Sequence, residues 1–224
     1  MQKKNYYKFT NESFNQFAMK KTVYFLLVVF LTSCIVTKDY VVKINKNKSI
    51  SNSETKKVVV IATGKLKLKK FTKAFNKKYK SSSDFVKSYL ENFTIEVEKN
   101  DVFDEIKIVG VNQLNHLKEN SKADYIINFS SFEIINKFET RKYSGPDSSE
   151  VLLDDRNPIE YCVIKVNVKV FDVKNKNRIL EFMSIGESSL FLFNYVKTLE
   201  KAKSRSITHV INYLKSGKVN YKKY

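Results

Sequence analysis

The sequence predicts an α/β (α+β) domain, a small mixed five-stranded sheet with helices packed on it in the order β-α-β-α-β-β-β-α. Three observations predict it. "KVVVIAT" at residues 57–63 is a short, continuous, β-branched apolar run, the pattern of a strand covered on both faces. "ADYIINFSSFEI" (123–134) and "YCVIKVNVKVFDV" (161–173) are long strand patterns, the second alternating with a period of two. Segments at 81–97 and 195–214 instead repeat apolar residues at helical intervals.

Taken in order, the first strand is followed by a basic stretch and then "SSSDFVKSYLENFTIEV". Ser81 and Asp84 there have capping-box spacing, and Phe85, Val86, Tyr89, Leu90 and Phe93 recur as on one face of a helix. Beyond Phe93 the helical signal weakens, because Ile95 and Val97 alternate. "EIKIVG" reads as a second strand ending at Gly110, with a short helix after it carrying Val111, Leu114 and Leu117 on one side. In the strand at 161–173, Cys162, Ile164, Val166, Val168 and Val170 point one way and Lys165, Asn167 and Lys169 the other. "KNKN" (174–177) is a polar turn joining it to "RILEFMSIGESS" as an antiparallel hairpin. The closing helix places Val196, Leu199, Ile207, Val210, Ile211 and Leu214 on one stripe and stops at Ser216-Gly217. The connectivity suggests helices on one face of the sheet.

Upstream of the domain, "KKTVYFLLVVFLTSC" sets two lysines before a dense apolar run at 23–31. That run is much shorter than the roughly 20 residues a bilayer-spanning helix needs, and its layout is that of a secretory signal. Leu31-Thr32-Ser33-Cys34 resembles the lipobox of bacterial lipoproteins, an apolar residue, two small residues and a cysteine. The resemblance implies cleavage between Ser33 and Cys34, diacylglycerol on the Cys34 thiol and a palmitate-type acyl chain on the new amino terminus. Met19 directly precedes Lys20, which points to translation starting there. The expected organisation is therefore an n-region and signal at 1–33, a lipidated cysteine and flexible tether at 34–56, one α/β domain at 57–217 and a basic tail at 218–224. As a coil the tether would span roughly 25 Å. Ile35, rather than aspartate, follows the cysteine, which favours the outer membrane of a Gram-negative envelope.

The formal charge is +18, and residues 1–33 carry five lysines and one glutamate, so their removal leaves +14. Only four of the 41 basic residues are arginine, the usual bidentate reader of phosphate. An exported chain with this balance is not expected to bind nucleic acid, although weak binding to anionic polymers fits its charge. Cys34 and Cys162 are the two cysteines; with Cys34 lipidated no disulfide forms, and Cys162 reads as a small buried hydrophobe. His116 and His209 stand far apart without metal-ligand spacing. Gly64-Lys65 lacks the rest of a phosphate loop and reads as a strand end and turn, while "GESSL" is not a hydrolase elbow. Adjacent Asp154-Asp155 read as a solvated loop, and Glu181 and Glu187 share a strand face without a histidine partner. No catalytic set, metal or cofactor is expected.

Three stretches carry a second resemblance: "KKVVVIA", the strand beginning Ala-Asp-Tyr, and the hairpin "VKVFDVKNKNRILEF". With the preceding lipobox, they resemble the envelope lipoproteins grouped around the TolB amino-terminal domain, CsgG and the penicillin-binding-protein activator LpoB, although the usual hairpin-turn glycine is absent. This resemblance implies a non-enzymatic role in envelope assembly or regulation through an envelope protein partner. The alternative is a periplasmic or surface lipoprotein that binds a polyanion or small ligand. The expected partner surface is the segment at 142–158, read as a long irregular connection, where Val151, Leu152 and Leu153 form an apolar step beside Asp154 and Asp155.

The signal reading has a direct check. Intact-mass analysis of the protein from its native membrane is expected to show a chain beginning at an acylated Cys34; an unmodified thiol, or a chain retaining residues 23–31, contradicts it.

Overall fold

The computed structural model describes residues 40–47, 56–109, 114–144, 151–190 and 193–216. The signal segment, Ser33, Cys34 and the basic tail lie outside the described residues. Seven strands and four helices follow in the order β1 (Tyr40–Asn47), β2 (Lys57–Ala62), β3 (Leu66–Leu68), α1 (Thr72–Lys78), α2 (Ser82–Lys99), β4 (Glu105–Ile108), α3 (Leu114–Asn120), β5 (Tyr125–Ser144), β6 (Val151–Asp172), β7 (Asn177–Ser189) and α4 (Tyr195–Ser216). The sheet is mixed and open, ordered β1-β7-β6-β5-β2-β4, with β3 paired to β5 beside the end of β2. The expected β-α-β-α-β-β-β-α order is intact; β1, β3 and α1 are additions to it.

β1 corrects part of the expected tether, since it pairs antiparallel with β7, Tyr40 opposite Ile185 and Asn47 opposite Leu180. Its Lys and Asn content resembles that of a linker, but "YVVKI" supplies the β-branched residues and β7 otherwise has an open hydrogen-bonding edge. β2 and β3 run parallel to β5 as one strand interrupted at residues 63–65. The interruption requires Gly64, because a Cβ there would lie 2.4 Å from the carbonyl carbon of Ser130. Thr63 and Gly64 both donate their amides to the Phe129 carbonyl. The strand end expected at Gly64-Lys65 is present, but the chain continues along β5 there instead of turning.

The main core lies between the sheet and α1, α2 and α4. Ser81 caps α2 by accepting from the Asp84 amide at 3.1 Å, and Phe85, Tyr89, Leu90, Phe93 and Val97 are buried. The helix continues to Lys99, past the weakening at Phe93, because Val97 is one helical turn beyond Phe93 and only Ile95 is left outside, 58% exposed. Phe129 and Phe132 of β5 meet Tyr89 edge-on, with ring centroids 5.4 and 5.3 Å away. On β6 every expected inward residue, Cys162 through Val170 in alternation, is fully buried.

The expectation that all helices share one face needs correction. α3 lies on the opposite face, where Leu117 packs with Val59, Ile61 and Ile126. The topology supplies the reason: β2 leads outward to β4, and β4 leads back across β2 to β5. Successive crossovers in opposite directions have the same right-handed sense only if their helices sit on opposite faces. β2 is covered on both sides as a result, which its continuous apolar run anticipates.

The β6–β7 hairpin closes through residues 173–176, where Asp172 accepts from the Asn175 amide at 2.9 Å and Lys176 takes a left-handed φ of 51° in place of the usual glycine. Farther along β7, a Cβ on Gly186 would fall 2.2 Å from the Ala202 carbonyl oxygen and 2.4 Å from the Ser206 amide. Gly186→Ala is therefore expected to lower stability by about 3 kcal/mol in urea unfolding, at the upper end of overpacking costs, because both obstacles are helix backbone. A change below 0.5 kcal/mol would contradict this packing.

Candidate functional site

Of the expected partner segment, residues 142–144 and 151–158 are strand rather than loop, and residues 145–150 lie outside the described residues. β5 and β6 continue as a two-stranded ribbon, with Arg141 opposite Asp154, Lys142 opposite Leu153, Tyr143 opposite Leu152 and Ser144 opposite Val151. β7 pairing ends at Ser189 opposite Tyr161, with one more bond from the Leu190 amide to the Glu160 carbonyl, and β3 pairing ends when the Lys69 amide reaches the Ile134 carbonyl. From Phe138 to Ser144 the ribbon thus has, among the described residues, no strand beside it on either edge, a reach of roughly 20 Å at strand rise. Between Glu139 and Arg141 of β5 the facing strand advances from Ile159 back to Asp154, so that β6 bulges. Pro158, which has no amide proton to give to a ladder, sits in this bulge. Sequence patterning missed the ribbon because glycine, two prolines, serines and charges punctuate its ends, whereas backbone pairing across β5 and β6 holds it in register.

A second feature has no counterpart in the sequence reading. Lys203, on α4, is 2% exposed. Its Nζ donates to the Tyr79 hydroxyl at 2.7 Å and to Ser88 Oγ at 3.2 Å, and lies 3.0 Å from Glu200 Oε2. Tyr79 in turn donates to Glu200 Oε1. Burial, reinforced by the Glu200 carboxylate, pushes the Tyr79 phenol above its ordinary range. One turn on, Ser206 Oγ donates to the Tyr89 hydroxyl at 3.2 Å. The group joins α1, α2 and α4, and its polar atoms satisfy one another inside the core. A signal for it does exist: Lys203 stands four residues after Leu199 and four before Ile207, in the middle of the apolar stripe.

His209 occupies the same buried helix face, 3.3 Å from Ser184 Oγ, while Ser184 donates to the Ser206 carbonyl at 2.9 Å. Desolvation lowers its pKa to about 4, and a hydrogen bond to the Ile185 backbone pulls weakly the other way. His116 is exposed on α3. Cys162 is fully buried, and burial pushes its thiol up. Glu181 is held by Arg178 at 2.5 Å and Lys169 at 3.6 Å, and Glu187 by Lys137 at 3.6 Å. Six residues along a strand put the two carboxylates roughly 20 Å apart, so they brace the sheet face separately. No group of three or more His, Cys, Asp or Glu could hold a metal ion among the described residues.

An open groove of about 940 Å³ lies outside the carboxyl ends of β2 and β4, beside the start of α2. Gly64, Lys65, Ser82, Asp84, Lys87 and Ile108 are among its lining residues. This is the position at which open parallel sheets generally leave a crevice. Among the described residues no helix is long and apolar enough to cross a membrane.

Fold and surface together define an α/β domain with an open mixed sheet, a projecting β-ribbon and a buried polar lock. No family model matches the chain, and no curated protein matches it either. Among solved structures, the PelC dodecamer from Paraburkholderia phytofirmans is similar at 13% identity and a TM-score of 0.45, over 80% of this chain and 99% of that chain. A neuraminyllactose-binding hemagglutinin homolog from Helicobacter pylori gives 14% identity and a TM-score of 0.40 over 80% and 93% of the two chains. The hypothetical protein CT253 from Chlamydia trachomatis gives 11% and 0.39 over 71% and 98%.

The His209 environment predicts acid sensitivity. The unfolded imidazole takes up its proton near pH 6.5 and the folded one only near 4, so the stabilising difference is complete above pH 6.5 and is lost as pH falls toward 4. That interval corresponds to about 3 kcal/mol. Urea midpoints measured from pH 7 to pH 4 are expected to fall less steeply in His209→Gln than in the native chain; parallel curves would refute the assignment.

Proposed function

We propose that this chain is a lipid-anchored cell-envelope lipoprotein, non-enzymatic and of the TolB, CsgG and LpoB type, whose domain acts through contacts with an envelope protein in assembly or regulation. Cys34 supplies the membrane attachment through "LTSC", with the outer membrane as its place. The observation that carries the protein-contact reading is the β5–β6 ribbon, two strands wide with both backbone edges open over its outer part among the described residues. Such edges offer rows of N–H and C=O groups to an added strand, and 58% exposed Phe138 sets an apolar ring on the same ribbon. Val151, Leu152 and Leu153 begin the returning strand, with Asp154 and Asp155 following, so the segment expected as the partner surface falls on the outer ribbon.

A second reading, a small-ligand-binding lipoprotein, is favoured by the groove above β2 and β4. Leu152→Ser with Leu153→Ser separates the two. The melting temperature is expected to stay within about 2 °C of native, while crosslinking in intact cells loses the partner the native chain captures. A folded double variant that captures the same partner undiminished would refute the ribbon as the contact, and a large loss of stability would make these leucines part of the core.

A further inference from the structure

One region of the surface combines exposed aromatic rings with uncompensated positive charge. Phe193 is 83% exposed and Tyr195 40% exposed, and the Tyr195 ring lies 5.7 Å from that of Phe71. Phe71 and Phe193 both hold left-handed backbone, φ 62° and 56°, a region that bulky side chains rarely enter. At Phe193 the conformation immediately precedes Asn194, whose side chain accepts from the Lys197 amide at 3.0 Å at the start of α4. The ring is thereby held at a helix end, outside the core.

Exposed lysines lie on the same two helices and in the segment leading to them. Eight lysines and no carboxylate lie between Gly64 and Ser81. α1 and α4 run side by side in the same direction, since Phe71 meets Tyr195 at one end and Tyr79 meets Lys203 at the other. Lys73 and Lys77 on α1, and Lys197 and Lys201 on α4, are each one helical turn apart and all exposed, with Lys70 beside Phe71. Two carboxylates of the neighbouring elements are already paired: Glu200 with Lys203 and Tyr79, and Glu133 with Lys69 at 2.6 Å.

We propose that this face docks on an anionic lipid surface, Phe193 and Tyr195 entering the headgroup region while Lys70, Lys73, Lys197 and Lys201 lie against the headgroup charge. Aromatic rings favour the membrane–water interface, and apolar side chains bordered by lysine are the composition of surface-binding elements. A soluble polyanion would be held by the lysines alone and would gain nothing from a phenylalanine left open to water. The docking belongs to the folded domain and does not depend on acylation of Cys34, so it is tested with that cysteine removed.

The chain contains no tryptophan, which makes Phe193→Trp a single fluorescent reporter in the mature chain, residues 34–224, carrying Cys34→Ser. With vesicles containing phosphatidylglycerol, the indole emission is expected to shift to the blue and to be quenched by lipids brominated on their acyl chains, and neither change is expected on phosphatidylcholine. Each lysine near such a surface contributes about fivefold to partitioning, so Lys70→Glu with Lys197→Glu is expected to lower it at least about 25-fold at low salt. Both lysines are exposed, and circular dichroism confirms that the variants fold. The proposal is overturned if the vesicles bind the chain while the indole stays unshifted and unquenched, or if neutral vesicles give the same shift. It is equally overturned if polyphosphate binds the chain with the same lysine dependence while Phe193→Ser leaves vesicle binding unchanged, since that would describe a polyanion site.

Discussion

The rest of the structure depends on the pairing of β5 on both backbone edges over residues 125–134, the inner half of its 20 residues. On one edge it is parallel to β2 and β3, and on the other antiparallel to β6. A strand can serve both pairings only if its local twist adjusts where they disagree, and β5 does so near Ser130: Gly64 approaches its backbone there and the register against β6 shifts between Phe129 and Ser131. The same strand carries Phe129 and Phe132, around which the aromatic residues of α2 gather. Where β2, β3 and β7 run out, the β5–β6 pairing continues alone, so the ribbon is the direct continuation of the sheet's central axis.

Closure of the other half relies on close backbone approach and on polar satisfaction. α4 touches β7 at Gly186, a distance no larger residue permits, and the helix residues facing that strand are correspondingly small or hydrogen-bonding: Ala202, Ser206 and His209. Lys203 adds a charge to this interior. A buried ammonium costs several kcal/mol to desolvate, and here Glu200, Tyr79 and Ser88 offset that cost while fixing how α1, α2 and α4 meet. Removing one partner from such a set would leave the others buried and unpaired, at a cost of about 3–5 kcal/mol.

The outer surface divides by chemistry. The sheet face bearing Glu133, Lys165, Asn167, Lys169 and Glu181 neutralises itself by cross-strand pairs. The β3–α1 segment has lysines and almost no counter-charges, and it lies beside the aromatic rings at the start of α4. The ribbon offers backbone edges, and the groove above β2 and β4 offers a concavity. Cys162, His209 and Lys203 are all buried and lie away from these surfaces.

Local patterns in the sequence determined the order of eight of the eleven described elements, the cap at Ser81, the inward face of β6 and the continuous burial of β2, because each follows from side-chain periodicity within one segment. Tertiary structure decided what periodicity does not encode. β1 forms because β7 has an open edge; α3 changes face because the chain reverses its crossing direction; α2 runs past Phe93 because Val97 meets the core one turn later. Of the candidate surface, the residues Val151, Leu152, Leu153, Asp154 and Asp155 were legible as an unusual apolar and acidic step, but their strand state was not, since Val151 to Asp154 pair with residues Ser144 to Arg141 of β5 and Asp155 follows in the bulge. Lys203 was hidden for the opposite reason: its local pattern marks it as buried, but the partners that make burial possible, Tyr79 and Ser88, lie more than a hundred residues away and meet it only in the folded chain.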